Sequence, residues 1–318
     1  MTVQVAVLDD YQEVAREIGP WDTLGDAAEV TFFHDHIVNS GVLRDLLEPY
    51  DVIVAMRERT PFTAERLASL PRLRLLVSTG MGNAAIDMEA ARAQGVVVCG
   101  TGSLPSPTAE LAWGLIIALT RNICAEDRRL REGGWQSTIG PELAGRTLGI
   151  LGLGRLGRRM AAIARAFEME LIAWSQNLTP EDAAAAGVEA VERDELFARA
   201  DVLTIHTRLS DRTRGLVGAR ELALMKPTAV LVNTSRGPIV DEKALLAALR
   251  RGTIAGAALD VYNREPLPAD HDLRSAPRTL LTPHLGYVTT GTYEVFYRDA
   301  VEDIAAWLAG EPVRVLNA

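Results

Sequence analysis

The 318-residue chain has only two cysteines, Cys99 and Cys124, set in apolar stretches without CxxC spacing. That excludes a disulfide framework and a thiolate metal centre, and it reads as buried, reduced thiols of a cytoplasmic protein. Long apolar runs are also missing. The longest, Leu111 to Leu119 between Glu110 and Arg121, is about half a membrane span. The first ten residues, Met1 to Asp10, carry no basic stretch and turn acidic before an apolar segment forms, so no signal peptide is expected. Positive charge is in deficit. Thirty-three Lys and Arg against 42 Asp and Glu leave −9, which argues against nucleic-acid and anionic-membrane partners. A small anionic substrate is still open, since a local arginine pocket can exist on an acidic surface. Only five histidines occur. The pair in His34-Asp35-His36 sits at i,i+2 with no third ligand cluster nearby, so it reads as a loop and no metal is expected.

With 48% apolar and 24% charged residues, the chain has ordinary globular usage, and its length suggests two domains. Short β-branched runs alternate with helical patterns almost throughout, the signature of parallel α/β sheets. A first series of strands is expected at Val3–Leu8, Val30–Phe33, Val52–Ala55, Leu73–Val77 and Val96–Cys99, with helices such as Ala64–Leu70 and Met88–Ala93 between them. A turn-rich loop from Gly100 to Pro107 leads to an apolar helix from about Thr108 to Arg121. Arg128, Arg129 and Arg131, neighboured by Glu126, Asp127 and Glu132, read as a solvated or subunit-facing helix surface. A second series is expected at Thr147–Leu151, Leu171–Trp174, Val202–Ile205, Val230–Asn233, Ala257–Val261 and Thr279–Leu281. The helix of about Thr292–Leu308 sets Phe296, Ala300, Ile304 and Leu308 on one stripe, and is expected to dock back on the first domain.

Gly152-Leu153-Gly154-Arg155-Leu156-Gly157 lies between a strand, Leu148–Leu151, and a helical pattern, Arg158–Phe167. Alone G-x-G-x-x-G is weak, but this context marks a dinucleotide turn. Gly152 permits the tight turn, Gly154 lets a pyrophosphate approach, and Gly157 lets helix and strand pack; the helix N-terminus offers N–H donors. An acid that binds the ribose 2′-OH is expected about 20 residues on. Here Trp174 is followed by Ser175-Gln176-Asn177, which carry no carboxylate to repel a 2′-phosphate, and Ser175 and Asn177 can donate to one. NADP(H) is therefore expected to serve at least as well as NAD(H).

Three polar groups follow strand ends in the second half: Asn233-Thr234-Ser235-Arg236, Asp260 with Glu265, and His284 with Gly286. In open α/β sheets that edge is where ligands sit. Arg236 suits a two-pronged grip on a carboxylate. His284 suits proton exchange with a carbonyl oxygen, and Glu265 suits holding that imidazole. Singly, each has a plainer reading: a salt-bridge arginine, a solvated loop acid, a turn histidine. Together on one edge they favour function. His206, after the strand Val202–Ile205, reads either as a wall of the adenine pocket or as packing.

These motifs resemble the D-isomer-specific 2-hydroxyacid dehydrogenase family. The similarity runs from about Val52 to Gly286 and includes Gly80-Met81-Gly82 with Ile86-Asp87, Thr108-Ala109-Glu110, the glycine turn, Asn233-Thr234-Ser235-Arg236-Gly237, Leu259-Asp260-Val261 with Glu265-Pro266, and Thr282-Pro283-His284. The resemblance implies two doubly wound parallel-sheet domains, a Rossmann-type cofactor domain (103–286) inserted in a flavodoxin-like substrate domain (1–102 plus 287–318). It implies a cleft that closes and a homodimer built partly on Arg121–Leu143. It further implies His284 as acid/base, Glu265 as its partner, Arg236 as substrate clamp and Asp260 at the nicotinamide carboxamide. Substrate contacts fall on Arg57, Met81 and Gly82. Cofactor contacts fall on Thr108, Gly152, Gly154, Arg155, Leu156, Gly157, Ser175, Gln176, Asn177, His206, Thr207, Arg208, Asn233, Thr234, Ser235 and Gly286. The activity implied is NAD(P)-dependent interconversion of a small 2-oxo acid and its D-2-hydroxy acid. The rival is a dinucleotide-sensing binding protein with vestigial turnover. Ser175 departs from the aspartate of NAD-using relatives. Thr207-Arg208 stands where a proline is usual, so Arg208 is either a cation for a 2′-phosphate or a solvated side chain. The Gly80–Asp87 loop lacks the usual Asp-Asn pair.

Overall fold

Runs of aliphatic residues buried on both faces become parallel strands, because helices cover each side of such a sheet. A computed structural model describes residues 2–318 and separates them into two units. One is the chain up to Leu104 together with Thr289–Ala318; the other is Pro105–Val288.

The first unit contains β1 (Val3–Val7), β2 (Ala28–Phe32), β3 (Val52–Ala55), β4 (Leu75–Ser78) and β5 (Val97–Gly100), all parallel, ordered β2-β1-β3-β4-β5. This is the flavodoxin-like order, whose direction reverses between β1 and β3. Every residue of β3 and β4 is buried, whereas the edge strand β2 buries none. The helix Thr290–Leu308 packs on β4 and buries Phe296, Tyr297, Ala300 and Ile304. It begins two residues before the apolar stripe requires, because the Thr289 hydroxyl accepts from the Thr292 amide and caps it. Beyond that helix the chain runs antiparallel beside β5, with Leu316 N donating to Val98 O at 2.7 Å and Gly100 N to Arg314 O at 3.0 Å. Cys99 is buried there, and burial pushes its thiol up to about 12.

The second unit contains β6 (Thr147–Leu151), β7 (Glu170–Trp174), β8 (Glu189–Ala190), β9 (Val202–Ile205), β10 (Val230–Asn233), β11 (Gly256–Leu259) and β12 (Thr279–Leu281). Their parallel order is β12-β11-β10-β9-β6-β7-β8, the dinucleotide-binding arrangement extended by one strand. The two-residue β8 has no counterpart in the sequence reading, being too short to carry a period. β11 ends at Leu259, before Asp260 and Val261, because the Asp260 side chain turns to bond the chain after β12. The helix Pro107–Thr120 starts on proline, whose missing N–H costs a first turn nothing, and packs on β10, β11 and β12. The helix Ile123–Arg131 that follows buries none of its residues. Cys124 lies on it and is exposed, which corrects the expectation that both thiols are buried. Apolar neighbours in sequence did not make a core face, because this helix packs no side chain inward within the chain.

Candidate active site

The carboxyl ends of β6, β9, β10, β11 and β12 carry the polar motifs, and backbone contacts bind these ends to one another. Gly152 has φ +103, and a β-carbon there would stand 2.8 Å from the His206 carbonyl carbon. Only glycine lets the turn after β6 sit against the end of β9 in that conformation. A β-carbon on Gly157 would stand 2.3 Å from the Gly152 oxygen, so the helix Arg155–Ala166 starts hard against the turn. In front of that helix the space is open: nothing lies within 4 Å of a β-carbon built on exposed Gly154. No side chain caps this N-terminus, and no acid stands in its first turn. The exposed N–H groups and the dipole end suit a diphosphate.

Ser175, at the end of β7, accepts a hydrogen bond from Leu153 N at 2.9 Å. Its hydroxyl proton has no acceptor among the described residues. Gln176, Asn177, Arg155 and Arg208 are exposed; Leu156 and Thr207 are half-buried. The His206 ring is partly buried, bonds Thr204 Oγ1 through Nε2 at 2.8 Å, and burial lowers its pKa to about 4. It therefore stays neutral at physiological pH, and its Nδ1 has no hydrogen-bond partner among the described residues. At the end of β10, Asn233 is buried and braces its own loop. Its Oδ1 accepts from Ser235 N at 3.0 Å and its Nδ2 donates to Arg236 O at 3.0 Å. The Ser235 hydroxyl donates to Thr207 O, tying β10 to β9. Buried Thr234 Oγ1 has no hydrogen-bond partner among the described residues.

On this edge His284 and Glu265 pair closely, with Nδ1 2.6 Å from Oε2 and side chains 18% and 29% exposed. The carboxylate accepts at Nδ1, so the proton it fixes there leaves Nε2 as the nitrogen that exchanges protons. The other Glu265 oxygen accepts from Tyr262 N at 2.9 Å. His284 itself has φ +55, a conformation that few non-glycine residues adopt. The fully buried Asp260 carboxylate accepts from Thr282 Oγ1 at 2.6 Å, Leu285 N at 2.7 Å and Gly286 N at 2.9 Å. Burial raises its pKa, while those donors and nearby His284 pull against the rise. Thr108 Oγ1 donates to Gly286 O at 2.8 Å. Arg236 donates through Nη1 to Ser235 O at 2.7 Å, and its loop meets the Glu265 loop where Gly237 touches the Tyr262 main chain.

Tyr262 was assigned no role from sequence. Its hydroxyl reaches Leu259 O at 3.1 Å and Thr282 O at 2.9 Å, pinning the ends of β11 and β12 that carry Asp260 and His284. Both partners are main-chain carbonyls, which leave no signature in the sequence.

In the first unit, Arg57 follows β3 with φ +50. It donates through its N and Nη1 to Thr79 Oγ1 and O at 2.8 and 2.9 Å. Gly80 has φ +96, and a β-carbon there would stand 1.8 Å from Arg57 Nη1, so the guanidinium lies against the glycine. Met81 is exposed and Gly82 borders open space. Asn83, not foreseen, donates to Arg57 O at 2.7 Å and Ser78 Oγ at 3.0 Å, bracing both loops. No group of three or more His, Cys, Asp or Glu that could hold a metal occurs among the described residues.

Comparison with known proteins adds independent findings. A family model described as D-isomer specific 2-hydroxyacid dehydrogenase, NAD binding domain, matches residues 113–286. The glyoxylate reductase of Aeropyrum pernix is 41% identical over 262 residues, 79% of this chain and 78% of that protein. The D-3-phosphoglycerate dehydrogenase of Methanocaldococcus jannaschii is 37% identical over 273 residues, 85% of this chain but 52% of that protein. A crystal structure of a phosphoglycerate oxidoreductase from Vibrio cholerae superposes with a TM-score of 0.93 at 38% identity, covering 97% of this chain and 100% of that one.

Proposed function

The chain belongs to the D-isomer-specific 2-hydroxyacid dehydrogenase family, and from that premise we propose that it interconverts a small 2-oxo acid and its D-2-hydroxy acid, with His284 as acid/base. Membership makes it an oxidoreductase that uses a nicotinamide dinucleotide. The open glycine turn, the uncapped helix and the unpartnered Thr234 hydroxyl fit such a group. Gly152, Gly154, Arg155, Leu156 and Gly157 would hold the diphosphate. Ser175, Gln176, Asn177, His206, Thr207 and Arg208 would take the adenosine half. Thr108, Asn233, Thr234, Ser235, Asp260 and Gly286 would take the nicotinamide half. When bound, the dinucleotide supplies or accepts the hydride.

The residues of the chain manage the rest. Arg236 holds the substrate carboxylate and polarises the adjacent carbonyl. His284 Nε2 gives its proton to the carbonyl oxygen as it becomes a hydroxyl, and takes it back in the oxidative direction. Glu265 orients the ring and stabilises the imidazolium that precedes transfer. In the first unit, Arg57, Met81 and Gly82 contact substrate. The observation that carries the reading is the 2.6 Å His284–Glu265 pair, beside the Asp260 carboxylate on the strand ends that bear the glycine turn.

NADP(H) serves at least as well as NAD(H), because Ser175 offers a donor where an acid would repel a 2′-phosphate. A homodimer forms partly through about Arg121–Leu143, where Trp135 is 72% and Ile139 100% exposed in the isolated chain. The two free cysteines fit a cytoplasmic setting, and no described helix is long and apolar enough to cross a membrane. The sensor alternative is not favoured, since the relatives named above are enzymes.

Loss of NAD(P)H absorbance with glyoxylate, hydroxypyruvate, pyruvate and phenylpyruvate tests the function. Turnover of at least one is expected; cofactor binding without oxidation by any would overturn it.

A further inference from the structure

The segment after the helix Thr290–Leu308 runs along the outer edge of β5, and one side chain fastens it. Arg314 turns there with φ +51, a conformation that persists in a non-glycine residue only where its surroundings hold it. Its guanidinium donates from Nε to Asp303 Oδ1 at 3.0 Å, from Nη1 to Glu302 Oε2 at 3.1 Å and from Nη2 to Asp299 O at 2.7 Å. Asp303 is fully buried and has no other ion-pair partner among the described residues. All three acceptors belong to the helix, so the arginine staples the segment to it.

The stapled segment and the helix together hold the chain that leaves β5. Gly100 N donates to Arg314 O at 3.0 Å, and Gly102 N donates to Asp299 Oδ2 at 2.8 Å. Between those two, the buried Thr101 hydroxyl accepts from Gly80 N at 2.7 Å. Gly80 has φ +96 and opens the turn Gly80-Met81-Gly82 after β4. A β-carbon on Gly100 would stand 2.9 Å from Gly80 O, 3.3 Å from Met81 Cα and 3.0 Å from Leu316 Cδ1. The turn and the Leu316 side chain therefore lie against the same face of Gly100. A segment that only covered a strand edge would need its main-chain pairs alone. This one also sets a side chain beside the turn and fixes the residues from which the turn hangs.

We infer that Arg314 is a positioning residue: by latching this segment to the helix, it fixes the conformation of the Gly80-Met81-Gly82 turn. Every contact in the latch lies within the first unit. Its consequence for turnover rests on the function proposed above, in which Met81 and Gly82 contact substrate.

The test follows hydrogen exchange of the full chain at residues 79–86, against β2 at the opposite edge of the same sheet. Arg314→Ala should speed exchange at 79–86 about tenfold, as expected for the loss of one net hydrogen bond, and leave β2 unchanged. Arg314→Lys, which keeps a cation beside Asp303, should recover part of the protection. Leu316→Ala keeps the arginine bonds and should speed exchange of the same turn by a smaller factor; it carries the test if Arg314→Ala does not fold. Unchanged exchange at 79–86 in the folded variant, an equal rise at β2, or no recovery in Arg314→Lys would each overturn the inference. With the 2-oxo acid that the wild type turns over best, Arg314→Ala should raise KM about tenfold, with kcat and the Kd of the reduced cofactor near wild type. A loosened turn with wild-type KM would uphold the latch and overturn the placing of Met81 and Gly82 at substrate. Absence of wild-type turnover on every 2-oxo acid would overturn the dehydrogenase reading, while the exchange result by itself decides the latch.

Discussion

Gly237 approaches Tyr262 so closely that a β-carbon at 237 would stand 2.1 Å from the Tyr262 carbonyl carbon. The neighbour is main chain and cannot swing aside. This contact binds the loop of Arg236 to the loop of Glu265. Gly237→Ala should therefore push the two loops apart. Expected are a stability loss of roughly 1–3 kcal/mol in urea denaturation and a larger fall in kcat/KM than stability alone explains. Wild-type kinetics in a folded variant would show the loops to be independent.

Removing the proposed acid/base should separate chemistry from binding. His284→Ala should lower kcat by about 10²–10⁴-fold while the dissociation constant of the reduced cofactor, read by fluorescence titration, stays near wild type. Arg236→Ala should instead damage KM and kcat together, since it grips substrate in ground and transition states alike.

Cofactor choice should turn on residue 175. Ser175→Asp places a carboxylate where a 2′-phosphate would lie and removes the hydroxyl donor, while its oxygens can still accept from Leu153 N. The ratio of kcat/KM for NADPH over NADH should drop about tenfold or more, the cost of one unfavourable charge contact. An unchanged ratio would move the 2′-phosphate away from this turn.

Asp303 should make stability depend on pH in an unusual direction. Its carboxyl is fully buried, with Oδ1 3.0 Å from Arg314 Nε, and burial outweighs the arginine to raise its pKa to about 7. Below about pH 4 folded and unfolded chains both hold the proton. Between there and pH 7 only the folded chain does, so unfolding releases a proton and stability falls as pH rises through that window. Asp303→Asn stays neutral throughout. Its urea midpoint relative to wild type should therefore rise steadily from pH 4.5 to 7.5, a drift that a charged Asp303 would not produce.

The strands were legible because most are buried on both faces: β3, β6, β9 and β10 read as largely apolar runs, and their limits coincide with the structure. Failures came where a longer-range contact decided. β11 stops short because Asp260 bonds amides 25 and 26 residues further on. Cys124 lies exposed because its helix has no face packed within the chain. His36 read as part of a loop, and nothing local in His34-Asp35-His36 announces its bond to Asp9, 27 residues earlier.

The amino-acid order alone determined where most of the strands and the glycine turn form, since periodicity, β-branching and glycine's freedom at positive φ act within a few residues. It also identified which side chains carry usable chemistry. Only the tertiary structure decided which of them meet: Glu265 with His284, Asp9 with His36, and Tyr262 with two strand ends. Such meetings depend on strand order and on hydrogen bonds of 2.6 to 3.1 Å, most of them between residues far apart in the chain, which packing sets and no local pattern encodes.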